Sequence, residues 1–273
     1  MMKKIFSLMS IVLVSVFAFT ACSDDDHGVE KTTEGLAKVK TVRVAESDNE
    51  YGLITFNYNG DKVSSIVVEG HYMEDGQMDD YESTTDVEYK DANTVVVTYK
   101  VGETQNALWV TYTYTLENGR IVSAKEQKAF ADPRIYGFSY TANGMLEKVE
   151  QTSGSLTAWV VYAANFATGT KNPNSLQTYG SRANTLTFDS GLENSYAVDL
   201  NFVLFYSELD IPEVIVYAAW AGLLPRMSNI VIGIDNDTTI TPGRDGDVIN
   251  KLTVKYTDED PADSYTEVIE IGY

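Results

Sequence analysis

Cysteine occurs once in this chain of 273 residues, at Cys22, and histidine twice, at His27 and His71. A single cysteine forms no internal disulfide and builds no Cys-ligated zinc site. A Ser-His-Asp set would have to use His71, in Gly70-His71-Tyr72, and no Gly-x-Ser-x-Gly elbow accompanies it. We read His71 as a strand-end residue. Basic residues are scarce: 20 Lys and Arg stand against 40 Asp and Glu, a formal charge of −20. Such a surface repels nucleic acid and anionic lipid headgroups, so neither is an expected partner. No glycine-rich loop follows a strand and opens a helix, so there is no signal for a nucleotide. We therefore assign no catalytic residue, no cofactor and no metal ligand, and expect a non-enzymatic protein.

What is present begins with the N-terminus. Lys3 and Lys4 precede an apolar stretch, Ile5 to Phe19, and small residues Thr20 and Ala21 lead to Cys22. Residues 1–21 read as a secretory signal peptide, too short for a flanked transmembrane helix. Phe19-Thr20-Ala21-Cys22 resembles a bacterial lipobox, with Phe in place of the usual Leu. The resemblance implies that Cys22 carries diacylglycerol and, after cleavage, an amide-linked acyl chain such as palmitate. Several chains anchor a protein stably where one does not. Ser23-Asp24-Asp25-Asp26 resembles the export signal of lipoproteins in Bacteroidetes-type envelopes, which implies an outer-membrane protein facing the cell exterior. Residues 22–37 are then a lipidated acidic tether. Cleavage removes two lysines and no acid, leaving 18 basic and 40 acidic residues, a charge of −22.

Residues 38–273 read as a single β domain. Strand alternation runs through Val39–Val44, Leu53–Tyr58 and Val63–Val68. Asn59-Gly60, Asn118-Gly119 and Asn143-Gly144 each join two such runs, as hairpin turns that accept positive φ. Further strands are expected at Asp86–Tyr89, Thr94–Val101, Leu108–Tyr114, Arg120–Ala124, Tyr136–Tyr140 and Met145–Val149. Thr157–Tyr162, Thr185–Phe188, Lys251–Tyr256 and Tyr265–Ile271 complete the set. Val110, Tyr112 and Tyr114 share one face, and Thr111, Thr113 and Thr115 the other. A Thr-rich face is a wet face, which argues against insertion in a bilayer. Residues 198–206 are nearly continuously apolar, and Pro212-Glu213 opens a helix expected over 212–223, with Asp210 in reach of its start.

The succession Val198-Asp199-Leu200-Asn201-Phe202, Ala218-Ala219-Trp220-Ala221-Gly222-Leu223-Leu224 and Ser228-Asn229, with the tyrosine hairpins before it, resembles a family of uncharacterised Bacteroidetes lipoproteins described as porin-like. The resemblance covers residues 38–273. It implies a mainly β fold: an antiparallel sheet of tyrosine-rich hairpins curled into an open or partial β-barrel. The one short helix over 212–223 is expected to pack against the sheet or plug its open side. It brings no catalytic residues.

The candidates for ligand contact are aromatic. Trp109 lies opposite Val110, Tyr112 and Tyr114, and Trp159 follows a Ser/Thr-rich turn, so both are candidates to stack on a sugar ring, while Trp220 reads as core. Asp235-Asn236-Asp237 and Asp245-Gly246-Asp247 carry oxygens for calcium, but they also spell turns and match no calcium loop. The expected role is a binding or accessory module for a glycan or an outer-membrane protein. The alternatives are a glycan hydrolase using two carboxylates and a purely structural partner of an outer-membrane complex.

Overall fold

The computed structural model describes residues 36–45, 50–74, 77–101, 108–152, 158–258 and 260–273. They form a closed antiparallel barrel of 16 strands in which each strand pairs with its neighbours in sequence. The first eight are β1 (Thr41–Ala45), β2 (Tyr51–Asn59), β3 (Lys62–Glu74), β4 (Gln77–Asp91), β5 (Thr94–Val101), β6 (Leu108–Glu117), β7 (Arg120–Lys128) and β8 (Arg134–Tyr140). Then come β9 (Leu146–Thr152), β10 (Trp159–Phe166), β11 (Pro173–Thr178) and β12 (Asn184–Glu193). Two helices follow, α1 (Leu200–Glu208) and α2 (Glu213–Trp220). β13 (Asn229–Ile234), β14 (Thr238–Asp245), β15 (Val248–Tyr256) and β16 (Tyr265–Gly272) finish the wall.

The barrel is closed, which corrects the expected open or partial one. β1 pairs with β16 over five positions, from Thr41↔Gly272 to Ala45↔Val268, so no edge remains. A closed wall leaves no row of unpaired backbone groups to recruit another chain. The single expected helix is also corrected to two. The apolar stretch at 198–206 supplies most of the added helix: Asp199 caps α1, its side chain accepting from the Asn201 backbone N–H. The second helix is shorter than expected because Gly222, at φ +72°, turns the chain. Leu223 N–H then bonds Ala218 O and Gly222 N–H bonds Ala219 O, a Schellman closure. Pro212 stands at the N-cap of α2 without a side-chain hydrogen bond.

Because all neighbours are antiparallel, even-numbered strands start at one rim, called upper here, and odd-numbered strands end there. The Asn-Gly turns at 59–60, 118–119 and 143–144 all fall on the lower rim. So do the start of β1 and the end of β16, hence both ends of the folded barrel.

The strands' alternation sorts charge outward and apolar surface inward. Val42, Phe56, Ile66, Val97, Tyr114, Ile121, Val254 and Ile269 are at most 2% exposed and line the lumen. Lys100, Lys125, Lys251, Lys255 and Glu270 are exposed on the outer wall. Arg or Lys facing lipid at mid-bilayer costs about 2–4 kcal/mol each, so this wall is built for water. A sixteen-stranded porin keeps an aqueous channel. Here the α1–α2 hairpin enters from the lower rim and fills the lumen. Residues 200–205 and 214–220 are all buried. Neither helix has an exposed stripe to advertise it, as expected of helices buried all round.

Tyrosines bridge wall and plug. Tyr114 Oη donates to Val214 O at 2.8 Å, Tyr89 Oη to Ala221 O at 2.9 Å, and Tyr112 Oη to Glu213 Oε2 at 2.7 Å. Phe56, Tyr206 and Tyr217 pack edge-on against Trp220, confirming it as core. Asn201 ties α1 to the wall: its Nδ2 donates to Asn229 O and its Oδ1 accepts from Val231 N–H, both at 2.8 Å. One cavity between plug and wall, near Val68, Tyr99 and Trp220, is about 20 Å³, room for one water.

Asp199 is the most constrained acid of the plug. Its Oδ1 accepts from Asn194 Nδ2 and Asn201 N–H, and its Oδ2 from Met227 N–H. Burial raises its pKa from 3.8 to about 6, against those hydrogen bonds. The folded chain then holds this proton more tightly than the unfolded chain. The associated stability is full below about pH 4 and lost as pH rises through 6, on the order of 3 kcal/mol. Urea midpoints measured across that range should fall with rising pH in the wild type, and Asp199→Asn should flatten the slope. Asp199→Ala should cost about 2 kcal/mol near pH 4, from the lost cap and an orphaned Met227 N–H, and less as pH rises through 6.

Candidate functional site

The upper mouth collects polar and aromatic side chains that the strand alternation turns inward. β7 contributes Glu126 and Lys128, β8 contributes Arg134 and Tyr136, and β10 contributes Trp159. Trp159 pairs with Gln151, which pairs with the inward Tyr136, so a shared face follows from register. The plug's turn adds Glu208, Asp210 and Glu213.

Glu126 is fixed. Its side chain is 4% exposed, with Lys128 Nζ at 3.1 Å and Arg134 Nη1 at 3.9 Å from Oε1. Tyr136 Oη donates to Oε2. Burial, followed by this bond and the Glu126 charge, raises the Tyr136 phenol well above its ordinary value. Glu213 accepts from Tyr112, and Glu208 Oε2 from Tyr265 Oη at 2.9 Å. Three acids at this end of the lumen thus each hold a tyrosine hydroxyl, which fixes their positions.

Beside them lies an open depression of about 390 Å³ lined by Thr178, Tyr179, Ser181, Arg182, Asn184, Glu208, Leu209 and Asp210. Its lip is aromatic. Trp159 is 53% and Tyr179 44% exposed, their rings 6.2 Å apart and inclined at 62°. Burial and the nearby acids Asp210, Glu213 and Glu126 push the Tyr179 phenol up to about 12, so it stays a donor at neutral pH. Tyr179 has φ +47° and Gly180 φ +71°, with Ser181 N–H bonding Thr178 O at 2.8 Å. This is a turn in which Asn is the ordinary first residue. A tyrosine there stores backbone strain of about 1–3 kcal/mol, which points to selection for its side chain.

The two tryptophans singled out from sequence are therefore separated. Trp159 stands on the inner lip. Trp109, 39% exposed, is opposite Lys100 on the outer wall of β6 and does not face the mouth. Tyr179 and Arg182 went unnoticed in the sequence, where the one signal was an aromatic immediately before a turn glycine. His71 is within β3 on the outer wall, its Nδ1 paired to Asp80 and its ring 4.7 Å from that of Tyr51. The two Asp-rich turns do not converge. Residues 235–237 lie on the upper rim and 245–247 on the lower, separated by β14. Asp235 serves structure instead, accepting from Thr185 N–H and Asn184 Nδ2. No group of three or more metal-ligating side chains occurs among the described residues. Cys22 and Ser23–Asp26 lie outside the described residues.

Fold and mouth together define a closed, plugged and externally charged β-barrel with an aromatic-lipped depression at one end. The crystal structure of a porin-like protein from Bacteroides uniformis is similar to it, with a TM-score of 0.64, 17% identity, and coverage of 86% of this chain and 97% of that one. A porin-like protein from Bacteroides vulgatus covers 87% of this chain and 98% of its own, at 8% identity and a TM-score of 0.30. No family model and no curated protein matches the chain. The first likeness is one of fold.

Removing the phenol of Tyr136 tests how the acid is held. Tyr136→Phe leaves a buried Glu126 oxygen without its donor and should cost about 1–3 kcal/mol, read as a lower urea midpoint at neutral pH.

Proposed function

We propose that this chain is a non-enzymatic, lipid-anchored protein of the outer cell surface that binds a carbohydrate in its upper mouth. The observation that carries this is the Trp159–Tyr179 lip over a depression lined by Ser181, Arg182, Asn184 and Asp210. Aromatic faces bury the C–H surface of a pyranose, and amide, guanidinium and carboxylate groups bond its hydroxyls; such mixed lining is typical of small-ligand sites. Glu126, the most buried acid of the mouth, is held by Lys128, Arg134 and Tyr136, a poor arrangement for a proton-transferring pair.

Anchoring at Cys22 suits this geometry. The sixteen residues from Cys22 to Ala37 span at most about 50 Å. They join the barrel at its lower rim, so an anchored chain presents its mouth away from the bilayer. The charged wall supports attachment by lipid rather than by insertion.

The carbohydrate reading is tested by a glycan array and calorimetry on the mature chain. Trp159→Ala and Tyr179→Ala should each weaken binding about tenfold, roughly 1.4 kcal/mol, while Trp109→Ala leaves it unchanged. Absence of binding by the wild type, or release of reducing ends from a bound polysaccharide, overturns it. For the anchor, Cys22→Ala should move the protein from the membrane fraction to the soluble one, and protease added to intact cells should digest the wild-type chain.

A further inference from the structure

Every connection of the lower rim lies among the described residues, and residues 36–40 cross that rim. Lys40 still belongs to the wall: its N–H bonds Gly272 O and its O accepts from Phe56 N–H, both at 2.8 Å. By Ala37 the chain has reached the plug. Ala37 N–H bonds Ser195 O at 3.1 Å, and Ala37 O accepts from Ala197 N–H at 3.0 Å, a parallel bridge outside the named strands. Residues 195–197 lead directly to Asp199, the cap of α1. Between the two attachments Val39 is fully buried, and Tyr58 Oη donates to Val39 O at 2.8 Å. Lys38 Nζ reaches Gly60 O at 2.8 Å and Asp61 Oδ1 at 2.7 Å. Segment 36–40 thus ties wall to plug.

The plug segment held in this way belongs to no wall strand. Further ties gather round Tyr196: its Oη accepts from Ile249 N–H at 2.7 Å, its ring stacks on Tyr273 at 5.8 Å, and Arg226 Nη1 donates to its carbonyl. Above the cap, α1 and α2 are buried all round and joined through Tyr206 and Trp220, whose rings lie 5.2 Å apart. The nine residues of α1 reach about 14 Å toward the upper mouth. There the turn that follows α1 supplies Glu208, Leu209 and Asp210 to the depression. We propose that residues 36–40 are a strap that locks the plug, and that opening the strap at the lower rim loosens the floor of the upper mouth. Close-packed rigid helices carry such a change from one end to the other. The strap is the element placed to open first. It is half-exposed at Ala37 and bridged to the plug by two backbone bonds, whereas each wall strand is paired on both sides. With the anchoring read above, a pull on the tether reaches the strap before any wall strand. That Glu208, Leu209 and Asp210 meet a ligand rests on the carbohydrate reading; the lock itself does not.

Amide hydrogen exchange of the mature chain carrying Cys22→Ser tests this without lipid or glycan. Ala37→Pro removes the N–H that bonds Ser195 O, and Val39→Ser removes the buried apolar side chain. Each should speed exchange about tenfold in residues 200–211 and 213–220, with β5 to β8 unchanged. The wall closes through Thr41–Ala45, outside the strap, so Ala37→Pro leaves the pairing of β1 with β16 in place and the barrel folded. Unchanged exchange at 206–211 in both variants overturns the proposal, because the loosening then does not reach the mouth. So does equal acceleration in plug and wall, which would make the strap a contributor to global stability alone. Neither measurement needs a bound sugar, so failure of the strap is distinguishable from failure of the carbohydrate reading.

Discussion

The polarity of the wall governs everything else in this structure. Along the wall most charged side chains face outward and the buried valines, isoleucines and tyrosines face the lumen, with Glu126 and Glu267 as buried exceptions. A transmembrane barrel has the opposite arrangement, an apolar band outside and a polar interior. With sixteen strands, inward apolar side chains cannot by themselves meet across the lumen, since barrel width grows with strand number. Something apolar must occupy the centre, or the core would be wet. The α1–α2 hairpin is that filling, and its near-total burial is the reason both helices lack a polar face.

The plug explains the tyrosines. A helix inside a β-barrel meets the wall at uneven distances, and its turn and ends expose carbonyls that need donors. Tyrosine is long and apolar along its length and carries a donor at its tip. Tyr89, Tyr112 and Tyr114 use that combination, reaching from β4 and β6 to Ala221, Glu213 and Val214. Burial drives the phenols upward, Tyr89 to about 12, so these hydroxyls remain donors across physiological pH. The wall's composition is thus set by what it encloses.

Local pattern carried much of this to the reader of the sequence, and long-range pairing carried the rest. The Asn-Gly hairpins and the in-out parity of β6 were legible, because turn chemistry and period-two alternation are local. Closure was not: Thr41 meets Gly272 across almost the entire chain, and nothing near either residue records it. β11, β13 and β14 escaped notice; Pro173 opens β11 and Pro242-Gly243 interrupts β14, residues that usually mark strand limits. Residues 200–205, buried on every side, looked alike as strand or helix. At the mouth, Trp159 was visible, but its separation from Trp109 was not, since a register shift between Val160 and Tyr162 breaks simple parity counting. Tyr179 was hidden by its place in a turn, where an aromatic has no expected role.

The two rims differ in where the described residues carry positive φ on non-glycine side chains. The lower rim is made from economical turns, with Asn118 and Gly119 both at positive φ where those residues sit with little strain. The upper rim places Phe130 and Tyr179 at positive φ, with side chains exposed rather than packed away. Asn or Gly in either position would serve the backbone better, and no core contact compensates at Phe130. Strain confined to one end of a symmetric wall, twice on aromatic side chains, is difficult to attribute to folding. Tyr179 at that end belongs to the mouth proposed above to bind carbohydrate, and its strained backbone supports that reading.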